Sequence, residues 1–379
     1  MTTQTQTAGP VNLIMLAGGA ALVVTLGLAL ANLMGSGHAS FNTASNGVTW
    51  GLLVVTYVFF SMASTGLAMV AALAAMFGAH QYAPLIKRCT FLSIITLVAA
   101  FASLALEMGN PLRMIWAVPL NFQPGSALVW MGIFYSICLV LLAIKFFKMH
   151  KGNWSGEGLT KAGFVIEVLA LGTLGSAFGL MAMRPAWYGS EVPALFLACG
   201  AVIGVAFAVL INQLTYSMDD KAMPARVRHV MTGSLPKLFA TTLGIYLVFL
   251  LFRTVNGLWT NADGFQMVSM MVKSPWFIIE VIALLGAFFI MISPALRAVG
   301  GMQVVAAVAT LAAMFIGRYE YIIGGQLVPL FKGSWVRGLI DYTPSTTEWM
   351  ITIMAFSLVF AGWAYAEKAL NLAAEPGEK

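Results

Sequence analysis

Ten runs of about 20 apolar residues each divide this chain, at 11–34, 48–77, 86–107, 127–147, 162–183, 193–212, 237–259, 274–293, 296–317 and 347–369. A segment of that length and character is solvated by hydrocarbon, where no water satisfies backbone N–H and C=O groups, so it must close its hydrogen bonds internally as a helix. Hydrophobic residues make up 60% of the 379 positions and charged residues only 9%, against about 45–50% apolar in a soluble domain. Mean hydropathy is +0.88. The expectation is an all-α polytopic membrane protein, with residues 1–379 forming a single integral-membrane domain. The N-terminal MTTQTQTAGP has no basic region ahead of its apolar run, which reads as a first span rather than a cleaved signal peptide.

An even number of spans puts both termini on one side. The loops and tails of that side hold thirteen basic residues, among them Lys87, Arg88, Lys148, Lys151, Arg226, Arg228 and Arg297, and the other side holds seven. The positive-inside rule therefore assigns both termini to the cytoplasm and the 107–116 connection to the outer face. Topology also accounts for the net charge of +6, because the basic residues are spread over short loops rather than gathered on one face that could bind nucleic acid. Cys89, Cys138 and Cys199 stand singly, without metal-ligand spacing, and are read as packing residues; no metal site is expected. His38, His80, His150 and His229 fall in loops or at loop edges, which disfavours a haem held between spans. With no cysteine cluster for iron–sulfur and no glycine-rich nucleotide loop, any redox role draws its electrons from a partner.

The two halves echo one another. Span three ends in Glu107, Asn110, Arg113 and Trp116 and span four begins SALVW at Ser126; span seven ends in Arg253, Asn256 and Trp259 and span eight begins SPW at Ser274. Repetition of that kind predicts two four-helix bundles, spans 2–5 within 48–190 and spans 6–9 within 193–317, flanked by helices 11–34 and 347–369. The longest outer connection, 318–346, carries Arg318, Tyr319, Glu320, Gln326, Trp335, Arg337 and Tyr342. Arginine and aromatic residues together are typical of protein contacts, so this segment is predicted to be an ordered outer (periplasmic) cap and a docking surface. Ser345 and Glu348 fit a capping box for the last span.

Ionisable groups within spans are costly and therefore informative. LEMGNPLRMIW, Leu106–Trp116, gathers a carboxylate, an amide, a guanidinium and an indole where lipid meets water, a lip suited to an oily ligand with hydrogen-bonding oxygens. Deeper lie Glu167, Glu280 and Arg253, which read either as stations of a proton path or as clamps between helices.

These segments resemble the NrfD/polysulfide reductase membrane-subunit family, which includes the DsrP and PsrC types. The resemblance rests on LEMGNPLRMIW, on NFQPGSALVW at Asn121–Trp130, and on RYEYIIGGQLVP and YTPSTTEW between Arg318 and Trp349. It implies a subunit that binds menaquinone or ubiquinone, carries neither haem nor iron–sulfur cluster itself, and sits in the bacterial or archaeal cytoplasmic membrane. It further implies docking on a ferredoxin-like 4Fe–4S subunit and a further catalytic or cytochrome subunit. Glu107 is the expected proton-exchanging residue, with Asn110, Arg113, Trp130 and Tyr135 around the quinone head group. Met131 departs from relatives that place an acidic residue after the tryptophan of span four. A secondary transporter and a passive membrane anchor are the competing readings; the echoed halves run in parallel, and no glycine- or proline-broken pair of spans marks a midplane substrate site.

Overall fold

A computed structural model describes residues 9–43, 47–154, 156–260, 266–329 and 338–374. Among them ten helices are long and apolar enough to cross a membrane: α1 (Gly9–Ser36), α2 (Leu52–Phe77), α3 (Ile86–Glu107), α4 (Ala127–His150), α5 (Glu157–Gly179), α6 (Val192–Thr215), α7 (Leu235–Trp259), α8 (Pro275–Ile292), α9 (Gly300–Leu327) and α10 (Thr346–Ala369). No strand occurs among the described residues. α2–α5 close a ring of four, with α2 on α3, α3 on α4, α4 on α5 and α5 on α2, and α6–α9 close a second ring in the same order. α10 leans on α3 and α2, and α1 lies along α10.

The bundles join where α2 crosses α6. Gly66 of α2 faces Gly200 and Gly204, a small-xxx-small pair on α6 that lets two backbones touch; a Cβ on Gly66 would stand 1.8 Å from the Gly200 carbonyl oxygen. At the helix ends opposite Glu107 a buried ion pair ties three helices together: the Arg88 guanidinium of α3 holds Glu367 of α10 and donates to Asn212 Oδ1 of α6. Lys87 Nζ donates to the carbonyls of Leu370 and Asn371, satisfying acceptors that the end of α10 leaves open. These two basic residues, counted with a loop in the sequence, are interior.

The outer cap takes a different form from the one expected. α9 continues to Leu327, so residues 318–327 are membrane helix. They ended the apolar run because their polar side chains turn into the bundle: Arg318 is 3% exposed and Gln326 0%. Gln326 Oε1 accepts from the backbone N–H groups of Thr49 and Trp50 and from Thr49 Oγ1, and its amide donates to Trp50 O. It pins the entry to α2. The capping box forms as read: Ser345 Oγ accepts from Glu348 N, and Glu348 Oε2 accepts from Ser345 N and Asn42 N. Glu348 Oε1 also takes hydrogen bonds from the Tyr342 hydroxyl and from Leu52 N.

Candidate functional site

α3 stops at Glu107 because Gly109, Asn110 and Pro111 follow, and Met108 is already extended. The chain then turns into a short helix, Arg113–Leu120. Glu107 stays half-buried, its Oε2 enclosed and without a hydrogen-bond partner among the described residues. Its carbonyl accepts from His38 Nε2 at 2.7 Å, and a second carboxylate, Glu348, is its electrostatic neighbour. Asn110 and Arg113 face outward instead. The Arg113 guanidinium lies 5.8 Å from the centre of the Trp116 ring, and with Leu112, Met114, Leu120 and Phe122 also exposed this arm is an interfacial platform beside the carboxylate rather than part of its pocket.

On α4, Trp130 spends its indole N–H on Pro124 O at 2.8 Å and stacks on Phe134. Tyr135 is fully buried with its hydroxyl unpaired among the described residues. Met131 accepts the Tyr57 hydroxyl on its sulfur at 3.3 Å. The structure thus brings Tyr135 together with Tyr57 and Ser61 in the interior of the first bundle, and leaves Asn110 and Arg113 outside it.

Deeper in the same bundle, Thr65 Oγ1 donates to Glu167 Oε2 at 2.9 Å, and Glu167 Oε1 has no partner among the described residues. Glu167, Cys138 and Lys145 line one small void of about 20 Å³. Lys145 also lines a crevice of about 480 Å³ at the inner end, shared with His80, Lys148 and Glu157. Lys145, Leu159 and Thr160 line both, and so stand between the crevice and the buried carboxyl.

Glu280 and Arg253 belong to the other bundle. Tyr246 Oη donates to Glu280 Oε1 at 3.4 Å and accepts from Arg318 Nη2 at 3.2 Å. Arg253 donates to Ala186 O at 2.9 Å and lies 4.1 Å over the Tyr321 ring. All six residues line a cavity of about 610 Å³ between α6–α9, the segment before α6 and the connection from α7 to α8. Glu167 and Glu280 consequently sit in separate polar clusters and not along one path. Arg318, assigned from sequence to a cap, is the member of this cluster that hydropathy missed; a helical repeat continuing past residue 317 was the available signal. Of the other expected docking residues, Tyr319 and Tyr342 are half-buried, Gln326 is buried, and Trp335 and Arg337 lie outside the described residues.

The family model of the polysulphide reductase NrfD matches residues 41–330. The chain is similar to the Hdr-like menaquinol oxidoreductase integral membrane subunit of Archaeoglobus fulgidus, at 24% identity over 356 residues, covering 88% of this chain and 87% of that protein. It is also similar to a selenate reductase subunit of Mesobacillus selenatarsenatis, at 22% identity over 363 residues, covering 82% of this chain and 83% of that protein.

Proposed function

Because this chain belongs to the NrfD polysulphide reductase family, we propose that it is the quinone-binding integral membrane subunit of a multi-subunit oxidoreductase, and that its first bundle handles the head group. The observation that carries this reading is the pair of enclosed, unpaired oxygens at the outer half of that bundle, Glu107 Oε2 and the Tyr135 hydroxyl. Buried polar atoms are almost always hydrogen-bonded, so two orphans of complementary kind, an acceptor and a donor, fit a ligand carrying oxygens of both kinds. Bound quinone or quinol supplies the coupling of electrons to protons. Glu107 accepts or returns the proton, Tyr135 and Tyr57 hold the deeper wall, and the exposed Arg113–Leu120 arm anchors the site at the lipid surface.

The partner reading rests on the family resemblance: electrons are exchanged with a ferredoxin-like 4Fe–4S subunit, joined by a further catalytic or cytochrome subunit. With much of 318–327 turned inward, the docking surface moves to the exposed arm 112–122 and the rim around it. Menaquinone and ubiquinone both suit the site. Charge supports a cytoplasmic-membrane location with both termini inside, since Arg253 and Arg318 are bundle residues and Arg113, Arg184 and Lys273 remain at the outer ends among the described residues. In the purified complex, Glu107→Gln keeps the subunits assembled and slows quinol turnover by about 100-fold or more, the scale of a lost general base; an unchanged rate removes Glu107 from the mechanism.

A proton route from the inner face is supported by the crevice that ends at Lys145 and the void that continues to Glu167. It runs through the first bundle alone. In proteoliposomes turning over quinone, Glu167→Gln abolishes proton uptake from the inner side while electron transfer continues; uptake at the wild-type rate makes Glu167 a clamp for Thr65 and nothing more.

A further inference from the structure

We propose that the cavity of the second bundle is a separate binding site for an isoprenoid quinone, with Arg318 at the head group. The inference rests on the quinone-linked reading above but concerns different helices and a different residue set. The cavity, about 610 Å³, lies within the range of ligand pockets, roughly 300–1,000 Å³. Its polar end is built rather than incidental. Arg318 is 3% exposed, and both Nε and Nη1 lack a partner among the described residues, while Nη2 holds the Tyr246 hydroxyl. A guanidinium interior to a membrane bundle with two nitrogens unspent is costly, and acceptor oxygens from a ligand would satisfy it.

The remaining charges select the ligand class. Arg253 and Arg318 are accompanied on the cavity wall by Glu280 and Glu320, whose Oε2 is also buried and unpaired. Two carboxyls beside two guanidiniums leave the polar end without the net positive charge that would favour a phosphate or carboxylate head group, and a neutral carbonyl-bearing ring fits it without adding charge. A quinone carbonyl presents an acceptor oxygen to the two unspent Arg318 N–H groups, while Tyr246 already spends its proton on Glu280. Position of the acid is fixed by the backbone: a Cβ on Gly317 would stand 2.2 Å from Glu280 Oε1, so only glycine lets this carboxyl lie against α9 beside Arg318. Ile245, Val248 and Phe252 line the cavity and are also exposed on the outer surface of α7, giving an isoprenoid tail a lipid-facing exit.

The test uses the intact complex in lipid nanodiscs with azido-ubiquinone and azido-menaquinone photolabels, and maps the label by peptide mass spectrometry. Two groups of labelled peptides are expected, one around Glu107–Tyr135 and one spanning 245–257 and 317–321. Arg318→Met lowers labelling of the second group by at least about tenfold, the scale of a lost hydrogen bond to a charged group, and leaves the first unchanged. Val248→Trp blocks the tail exit without removing a charge and gives the same selective loss. Label confined to the first group overturns the second site while leaving the proposed function standing; label in neither group overturns that function itself. A phospholipid retained by wild type and lost on Arg318→Met, with no quinone label at 245–257, overturns the quinone assignment in favour of a bound structural lipid.

Discussion

Substitution of Gly66 by alanine attacks the seam between the bundles. The added Cβ would stand 1.8 Å from the Gly200 carbonyl oxygen, 2.7 Å from Gly200 C and 2.8 Å from Gly204 N. All three are backbone atoms, so no side chain can swing away. Restoring ordinary contact near 3.4 Å requires α2 and α6 to part by about 1.6 Å at the crossing, and a gap of even 0.5–1 Å forfeits roughly a quarter to a half of each contact's attraction. Overpacking of a dense interior costs about 1–3 kcal/mol, and Gly66 falls at the upper end because backbone must move. By soluble-domain entropy scaling over 379 residues, a loss near 3 kcal/mol lowers the unfolding midpoint by roughly 4 °C. Gly204→Ala, whose Cβ would stand 2.1 Å from Gly66 C, relieves itself through the same opening, so the double variant loses less than the sum of the singles. Gly172→Ala and Gly286→Ala serve as controls; each meets nothing within 4 Å, and alanine is the better helix former by about 1 kcal/mol. Thermal unfolding of the purified chain in one detergent, with tryptophan emission as readout, checks the series. A Gly66→Ala midpoint level with that of Gly286→Ala refutes the close crossing.

Two further outcomes follow from buried pairs. Glu367→Ala leaves the Arg88 guanidinium enclosed without its carboxylate, a loss of about 3–5 kcal/mol read as collapse of detergent-stable yield, whereas Asn371→Gly, which keeps the carbonyl that Lys87 contacts and suits the positive φ at this position, leaves yield unchanged. Burial, reinforced by the Glu348 carboxylate, pushes the Tyr342 phenol well above its ordinary value near 10. The folded state thus favours the protonated phenol, and the stability it contributes is complete below about pH 10 and lost as pH rises above it; alkaline unfolding followed by circular dichroism should show this slope in wild type and lose it in Tyr342→Phe.

What could be read in the sequence was whatever is local. Apolar runs gave ten helices because each satisfies its own backbone, and Ser345 with Glu348 announced a cap because the partners are three residues apart. Hydropathy failed at α9, where Arg318, Glu320 and Gln326 interrupt the run yet continue the helix with polar atoms turned inward. The Arg88–Glu367–Asn212 tie was invisible for the opposite reason, since its members are far apart in sequence and meet only after the bundles pack. Gly200 and Gly204 form a readable motif, but their partner Gly66 stands alone on α2 and carries no signature of its own. At the candidate site, spacing placed Glu107, Asn110 and Arg113 together, and Pro111 undid the grouping by ending the helix between them.

The internal echo acquires physical content once the helices are in place. With Asn110 and Asn256 in register, Glu107 at the end of α3 falls opposite Arg253 near the end of α7, so corresponding positions in the two bundles carry opposite charge. Arg253 is committed, donating to Ala186 O and covering Tyr321, while Glu107 keeps an enclosed oxygen unspent. A carboxylate accepts and a guanidinium donates. The first bundle thus leaves an acceptor unspent at Glu107 Oε2, and the second leaves two donors unspent on Arg318 beside an acceptor at Glu320 Oε2. Repetition supplied the scaffold twice, and the exchange of one charge at an equivalent position separates the chemistry of its two halves.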